Sequence, residues 1–248
     1  MTLRVMTFNI LNGGGERMPV IRDVIRSQYP DIVAIQEAND RGLIESLARE
    51  LEMSLTFGEA NSTYHLAWLT RAPILRSANH KLPELRKTLL ELVVEWEGMP
   101  LQLFNIHLRP EPEAEGQRLI EIQAALHAMG PLEATPRLFV GDFNALAAHD
   151  QFVSDIKYRD EDVDFAERAY PLPRSVIPAI IAAGYVDVYR SMNPGAEGYT
   201  NQTPTPVTRI DYIFASPSLA ARAISCDLVT GALAVYASDH LPVRAEFE

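Results

Sequence analysis

The chain has 248 residues, 47% of them hydrophobic, with 22 basic and 33 acidic side chains, a formal net charge of −11 and a single cysteine. This length and apolar share suit one large domain spanning residues 1–248, while the lone Cys226 excludes an intramolecular disulfide framework and a multi-cysteine zinc site. The negative balance opposes long polyanions unless local charge overrides it, and the absence of a leader-like start or an apolar run of ~18 residues leads us to expect a soluble, cytoplasmic protein.

In chain order, apolar patterning predicts strands over 3–10, 31–37, 65–70, 87–98, 101–108, 137–144 and 209–216, one more at "AISCDLV", and a last one in "LPVRAEFE". Leu241, Val243, Ala245 and Phe247 alternate there with polar neighbours, as a half-buried strand requires. "DIVAI" and "RLFV" are apolar at nearly every position, which predicts burial on both faces. Helices are expected over 18–28, 40–52, 114–129 and 175–183, the third with a core stripe of Leu119, Ile122, Leu126 and Met129. The two middle strands form a hairpin turned at Gly98-Met99-Pro100. The irregular stretch 145–174, with its acidic run at 158–165, reads as an active-site loop. Parallel and antiparallel strand types in one chain imply sheets packed on each other with helices outside.

Polar residues recur where apolar runs end: Asn9, Glu37, His107, Asp142 and Asn144 follow strands, and Asp239 and His240 precede the last one. Asp211 lies within "RIDYIF", where a carboxylate is costly unless it holds a cation or a histidine N–H, and His240 is its candidate partner. Singly, each has a plain structural alternative: "GDFN" is a turn, Glu37 a solvated strand end, His107 a packed core histidine, and "NGGG" at 12–15 a turn without the Lys-Ser/Thr of a P-loop. Jointly they make a set of hard oxygen donors suited to Mg²⁺ or Mn²⁺ rather than zinc, with carboxylates left to act on water and on His240. Two histidines and an asparagine amide could then face a phosphoryl group as charge builds on it, which reads as phosphoester hydrolysis.

"TFNI", "IVAIQE", "LFNIHL", "FVGDFNA", "RIDYIF" and "SDHLPV", in this order from residue 7 to 243, resemble the motif series of the endonuclease/exonuclease/phosphatase superfamily, and "LTRAPI" at 69–74 resembles its "LSR-x-PI" turn. The resemblance implies a DNase I-like α/β fold, a four-layer α/β sandwich of two mixed β-sheets packed face to face with helices outside. It implies Glu37 as the principal metal ligand, with Asn9 beside it and Asp239 as a further metal-proximal carboxylate. Asp142 is implied to position or deprotonate the attacking water, and Asn144 to hold that water and a phosphate oxygen. His107 is implied to bind phosphate, and Asp211 to orient His240, with Asp142 and His240 as joint candidates for the base.

The sequence departs from the pattern of some nucleases of the family at Leu11, where they carry Asp or Asn; Asn12 is the nearest substitute. Arg71, Arg109, Arg118 and Arg174 are candidates for substrate-phosphate contact, each with a surface ion pair as its alternative. The expected activity is metal-dependent hydrolysis of a small or lipid-derived phosphoester, with a DNA or RNA nuclease as the alternative and an inactive interaction module as a third reading. No obligate protein partner is inferred.

Overall fold

The computed structural model describes residues 2–111, 113–132, 135–151 and 174–248. The acidic run at 158–165 and most of the 145–174 loop lie outside the described residues.

Twelve strands are described: β1 (Leu3–Asn9), β2 (Ile32–Gln36), β3 (Ser54–Gly58), β4 (Leu66–Thr70), β5 (Ile74–His80), β6 (Leu89–Trp96), β7 (Met99–His107), β8 (Arg137–Asp142), β9 (Val186–Asp187), β10 (Asp211–Ala215), β11 (Ala223–Leu228) and β12 (Val243–Phe247). They form two sheets of six, ordered β11-β12-β1-β2-β4-β3 and β5-β6-β7-β8-β10-β9. Each sheet is mixed around one parallel pair, β1 with β2 and β7 with β8. A parallel pair needs a crossover, and these two are carried by α1 (Met18–Gln28) and α3 (Glu115–Met129).

Three clusters of apolar side chains separate the layers. Val5, Ile32, Trp68, Leu92, Leu103, Val140 and Ala245 pack between the sheets. Met6, Phe8, Ile35 and Leu69 turn outward under α1 and α2 (Arg41–Glu50), and Phe104, Phe139 and Phe214 turn outward under α3 and α4 (Val176–Ala182). Neighbouring residues of a central strand thus enter different cores, Val5 inward and Met6 outward, which is why these strands are apolar at successive positions. The result is the four-layer α/β sandwich.

One polar network crosses the inter-sheet core. Gln36 Nε2 donates to Asn105 Oδ1 at 2.7 Å and to Thr7 Oγ1 at 3.0 Å, and Asn105 Nδ2 donates to the carbonyls of Ile35 and Ala67, both at 3.1 Å. All three side chains are fully buried, so the bonds fix one docking of the sheets where a purely apolar interface would tolerate sliding.

Some expectations shift. Trp96 pairs with Met99, so the hairpin turns at Glu97-Gly98 rather than at Gly98-Met99-Pro100. Both turn residues have positive φ, 53° and 74°, the left-handed pair whose twist matches the flanking strands. On α3 the buried face holds Glu115, Arg118, Glu121, Ile122, Ala125 and Met129, while Leu119 and Leu126 are only half-buried. The charged members are satisfied by backbone: Glu115 accepts from the amides of Ser175 and Val176 at 2.6 and 3.1 Å, and Glu121 from those of Arg86 and Arg109 at 2.9 and 3.1 Å.

Candidate active site

All the strand-end residues arrive at one end of the sandwich. Asn9 and Glu37 stand at the C-terminal ends of the parallel pair in one sheet, His107 and Asp142 at those of the other. Asp211 opens β10 opposite Asp142, and His240 precedes β12, which runs antiparallel to β1. Carboxyl ends of parallel strands are where open α/β sheets place ligands; here two sheets present theirs to the same space.

Oδ2 of Asp142 is the point of convergence. Asn9 Nδ2 lies 3.0 Å from it, His107 Nε2 3.3 Å and His240 Nε2 3.8 Å, so nitrogen atoms from three separate elements surround one oxygen. Oδ1 accepts the amide of Asn144 at 2.9 Å. Burial pushes the Asp142 carboxyl up to about 7, with Asp211 adding to the effect. Burial, then the charges of Lys87 and His240, pushes His107 well below its usual value, so this ring is neutral at pH 7.

His240 is the opposite case. Its Nδ1 donates to Asp211 Oδ2 at 2.8 Å, which fixes the tautomer and aims Nε2 at Asp142 and at Asp239 Oδ1, 4.0 Å away. Burial alone would lower its pKa, but the Asp211 carboxylate overcomes this and the imidazolium persists to about 10. Ser238 braces the corner, its hydroxyl donating to the Asn9 carbonyl at 2.7 Å.

Glu37 forms the cleft side of the cluster. It is a non-glycine residue at φ 60°, a conformation that costs energy and persists only where its surroundings impose it. The backbone of "NGGG" does so: Asn12 N donates to Glu37 Oε2 at 2.6 Å and Gly13 N to the Glu37 carbonyl at 2.9 Å. The segment is a turn, as its residues suggested, and it clamps the carboxylate. Asn9 Nδ2 reaches Glu37 Oε1 at 3.3 Å, linking it to Asp142. Asn144, at φ 45°, donates through Nδ2 to the Leu108 carbonyl at 3.2 Å.

These donors fit a hard divalent cation. Glu37 offers oxygens at the cleft, Asn9 stands beside it and Asp239 beside His240, and Asp211 Oδ1 is a buried oxygen with no hydrogen-bond partner among the described residues. Ligating atoms of Asp142, Asp211 and His240 also lie within 4.8 Å of one another. Two of that trio, Asp211 and His240, are hydrogen-bonded to each other, and Glu37 is the carboxylate that lines the cleft.

The cleft, about 230 Å³, is lined by Asn12, Glu37, Tyr64, Lys87, His107 and Pro110 among others. Lys87 was not singled out from the sequence. It is 2% exposed, donates to the Leu108 carbonyl at 2.7 Å and lies 5.7 Å from the centroid of the Tyr64 ring, which itself meets His107 edge-on at 6.4 Å. Burial pulls its pKa down to about 7 against the pull of Asp142 and Glu37. A larger cavity of about 720 Å³, lined by Ala147, Ile177, Arg190 and Arg209, contains none of the strand-end set.

The arginines suggested as phosphate contacts are placed differently. Arg71 follows β4, whose Thr70 pairs with Ile32 at the start of β2, so it lies at the far end of the sheet and donates to the Glu52 carbonyl. Arg109 is near the cleft, but its guanidinium faces Glu121 at 3.5 Å. Arg174 donates to the carbonyls of Ala147 and Asp150, and Arg118 is buried among Glu115 and the carbonyls of Arg109 and Glu111.

The described residues contain no helix long and apolar enough to cross a membrane. No curated protein matches the chain by sequence. Its fold matches an AP endonuclease from Archaeoglobus fulgidus at TM-score 0.81, with 20% identity over 99% of both chains. It also matches the 3' phosphatase NExo from Neisseria, solved with a product DNA hairpin, at TM-score 0.78, with 19% identity over 99% of both chains. A truncated TDP2 from Caenorhabditis elegans follows at TM-score 0.70, with 19% identity over 100% of this chain and 97% of that one. The family model of the Endonuclease/Exonuclease/phosphatase family matches residues 6–240; every strand-end residue of the cluster falls within that span, and the chain belongs to this family of phosphoester hydrolases.

Proposed function

We propose that residues 1–248 form one catalytic domain, a Mg²⁺- or Mn²⁺-dependent phosphodiesterase. The observation that supports this most is the convergence of Asn9, His107 and His240 on one carboxylate oxygen of Asp142, with Glu37 joined to it through Asn9. Glu37, Asn9 and Asp239 would hold the metal, which when bound polarises the phosphoryl group and offsets the charge of the leaving oxygen.

The chain's own groups divide the remaining work. Asp142, whose Oδ2 accepts from the Asn9 amide and whose Oδ1 accepts from the Asn144 backbone N–H, takes the proton of the attacking water. Asn144 holds that water. His240, kept cationic by Asp211, and His107, a neutral donor, face the phosphoryl oxygens where negative charge gathers. Asp211 acts through His240 as a positioning residue.

A nuclease is the second reading, favoured by the likeness to the AP endonuclease and to the phosphatase bound to a DNA hairpin. The net charge of −11 weighs toward small phosphoesters. An inactive module would have no use for this assembled set. One panel tests all three: hydrolysis of an aryl phosphodiester, single- and double-stranded DNA, RNA, a choline phospholipid and an inositol phosphate, with either metal and with a chelator. Chelator-sensitive turnover that prefers the small esters is expected; a preference for nucleic acid at low salt makes the nuclease reading primary; inactivity on every substrate, or full activity of His240→Ala, refutes the mechanism.

A further inference from the structure

Lys87 is a buried basic group on which Asp142, Glu37 and Glu121 act electrostatically, yet among the described residues none of them stands within ion-pair distance of it. An ammonium buried to this degree is normally paired with a carboxylate, because removal from water is otherwise too costly. Among the described residues Lys87 forms no such pair: it donates to the neutral carbonyl of Leu108 at 2.7 Å, and the face of Tyr64 lies nearby. An ammonium has three donors, so two are left, and the side chain lines the cleft beside Glu37 and His107.

Its neighbours make this more pointed. The adjacent Arg86 is paired with Glu111, and Arg109, on the strand end that supplies His107, faces Glu121. Among the described residues, Arg86 and Arg109 each face a carboxylate within ion-pair distance, and the buried Lys87 does not. Its anchoring is also shared with the catalytic set, because the Leu108 carbonyl that receives Lys87 receives Asn144 Nδ2 as well, at 3.2 Å. Glu121 fixes the backbone on both sides, accepting the amides of Arg86 and Arg109. A basic group prepositioned this way, with no carboxylate in direct contact among the described residues, fits a ligand that brings an anion to it.

We infer that Lys87 is a substrate-binding residue, donating to a non-bridging phosphate oxygen from the Tyr64 side of the cleft. This rests on the phosphoesterase reading for its substrate, and it replaces the arginines as the phosphate contact supplied by a basic side chain. The alternative is a purely structural lysine that ties β6 to the segment after β7.

Inorganic phosphate separates the two. With wild type active on any member of the panel, Lys87→Met should raise the inhibition constant of phosphate and lower kcat/KM by roughly 10²-fold, the scale of losing one charged donor at a phosphoryl group, while Lys87→Arg recovers most of both. A Lys87→Met enzyme that is folded and binds phosphate as well as wild type overturns the inference. Should Lys87→Met fail to fold, the wild-type protein still decides: in metal-free conditions the ¹⁵N resonance of the Lys87 ammonium should move saturably with added phosphate, and a resonance that stays in place overturns the proposal. Wild type inactive on the whole panel refutes the enzymatic reading instead, and the phosphate titration reports on Lys87 regardless.

Discussion

Nδ1 of His240 and Oδ2 of Asp211 are 2.8 Å apart, both buried, on elements that meet across the two sheets. The carboxylate keeps the imidazole protonated, to about 10 in the metal-free protein. A histidine pKa raised above its ordinary 6.5 on folding contributes stability that is fully present below about pH 6.5 and is lost as pH rises through about 10. Asp211→Asn should therefore lower the His240 pKa markedly, seen by NMR titration of the ring in the presence of chelator, and should cost most stability at acid and neutral pH. Hydrolysis should lose its alkaline limb at lower pH than in wild type. An unchanged ring titration would show that Asp211 does not govern His240.

Among the described residues the Glu37 carboxylate accepts one backbone amide and one side-chain amide, and it faces the cleft. Glu37→Gln keeps an oxygen for the Asn12 amide and removes the charge. Calorimetric affinity for Mg²⁺ and Mn²⁺ should fall by more than roughly 10²-fold with the melting temperature of the metal-free protein little altered. Equal affinity in the variant would remove Glu37 from the ligand set.

Gly141 precedes Asp142 at φ 140°, and a Cβ there would stand 1.9 Å from the Ile106 carbonyl oxygen. That carbonyl belongs to the β7–β8 pairing that sets His107 beside Asp142. Gly141→Ala should cost about 4 kcal/mol or more by urea denaturation and abolish hydrolysis; a stable, active variant would mean that the strands can part without moving the site.

Cys226 is buried on β11, and burial pushes its thiol well above the usual range. Native protein at pH 8 should resist alkylation by iodoacetamide, with full labelling only after denaturation. Rapid native labelling would show that β11 opens locally.

The strand-end residues were legible because each closes or opens a short apolar run, and six such runs in a fixed order leave few arrangements. Asn9, Glu37, His107, Asp142, Asn144, Asp211, Asp239 and His240 all come to one end of the molecule. Lys87 was hidden because "LRKTLL" presents it as one of two adjacent basic residues at a strand entrance, where solvated lysines are ordinary; its burial depends on Glu121 drawing in the backbone of Arg86. The stripe on α3 was misplaced because its buried Glu115, Arg118 and Glu121 are satisfied by backbone groups that are remote in sequence. β5 is exposed along most of its length, so no alternation marks it. The hairpin was set one residue late because a glutamate, rather than a glycine, takes the first left-handed position of the turn.

The Gln36–Asn105 bond lies one residue before Glu37 and two before His107, so it spans the seam between the two halves of the site. Asn105→Leu would strand the Gln36 amide and two carbonyls in the core, a loss of about 3 kcal/mol, and would free one sheet to slide on the other. Turnover then becomes a gauge of docking: a shift too small to alter secondary structure still separates the half that holds Glu37 from the half that holds Asp142. Activity should vanish at lower urea than the far-ultraviolet circular dichroism signal, and the interval between the two would measure how independently the sheets hold together.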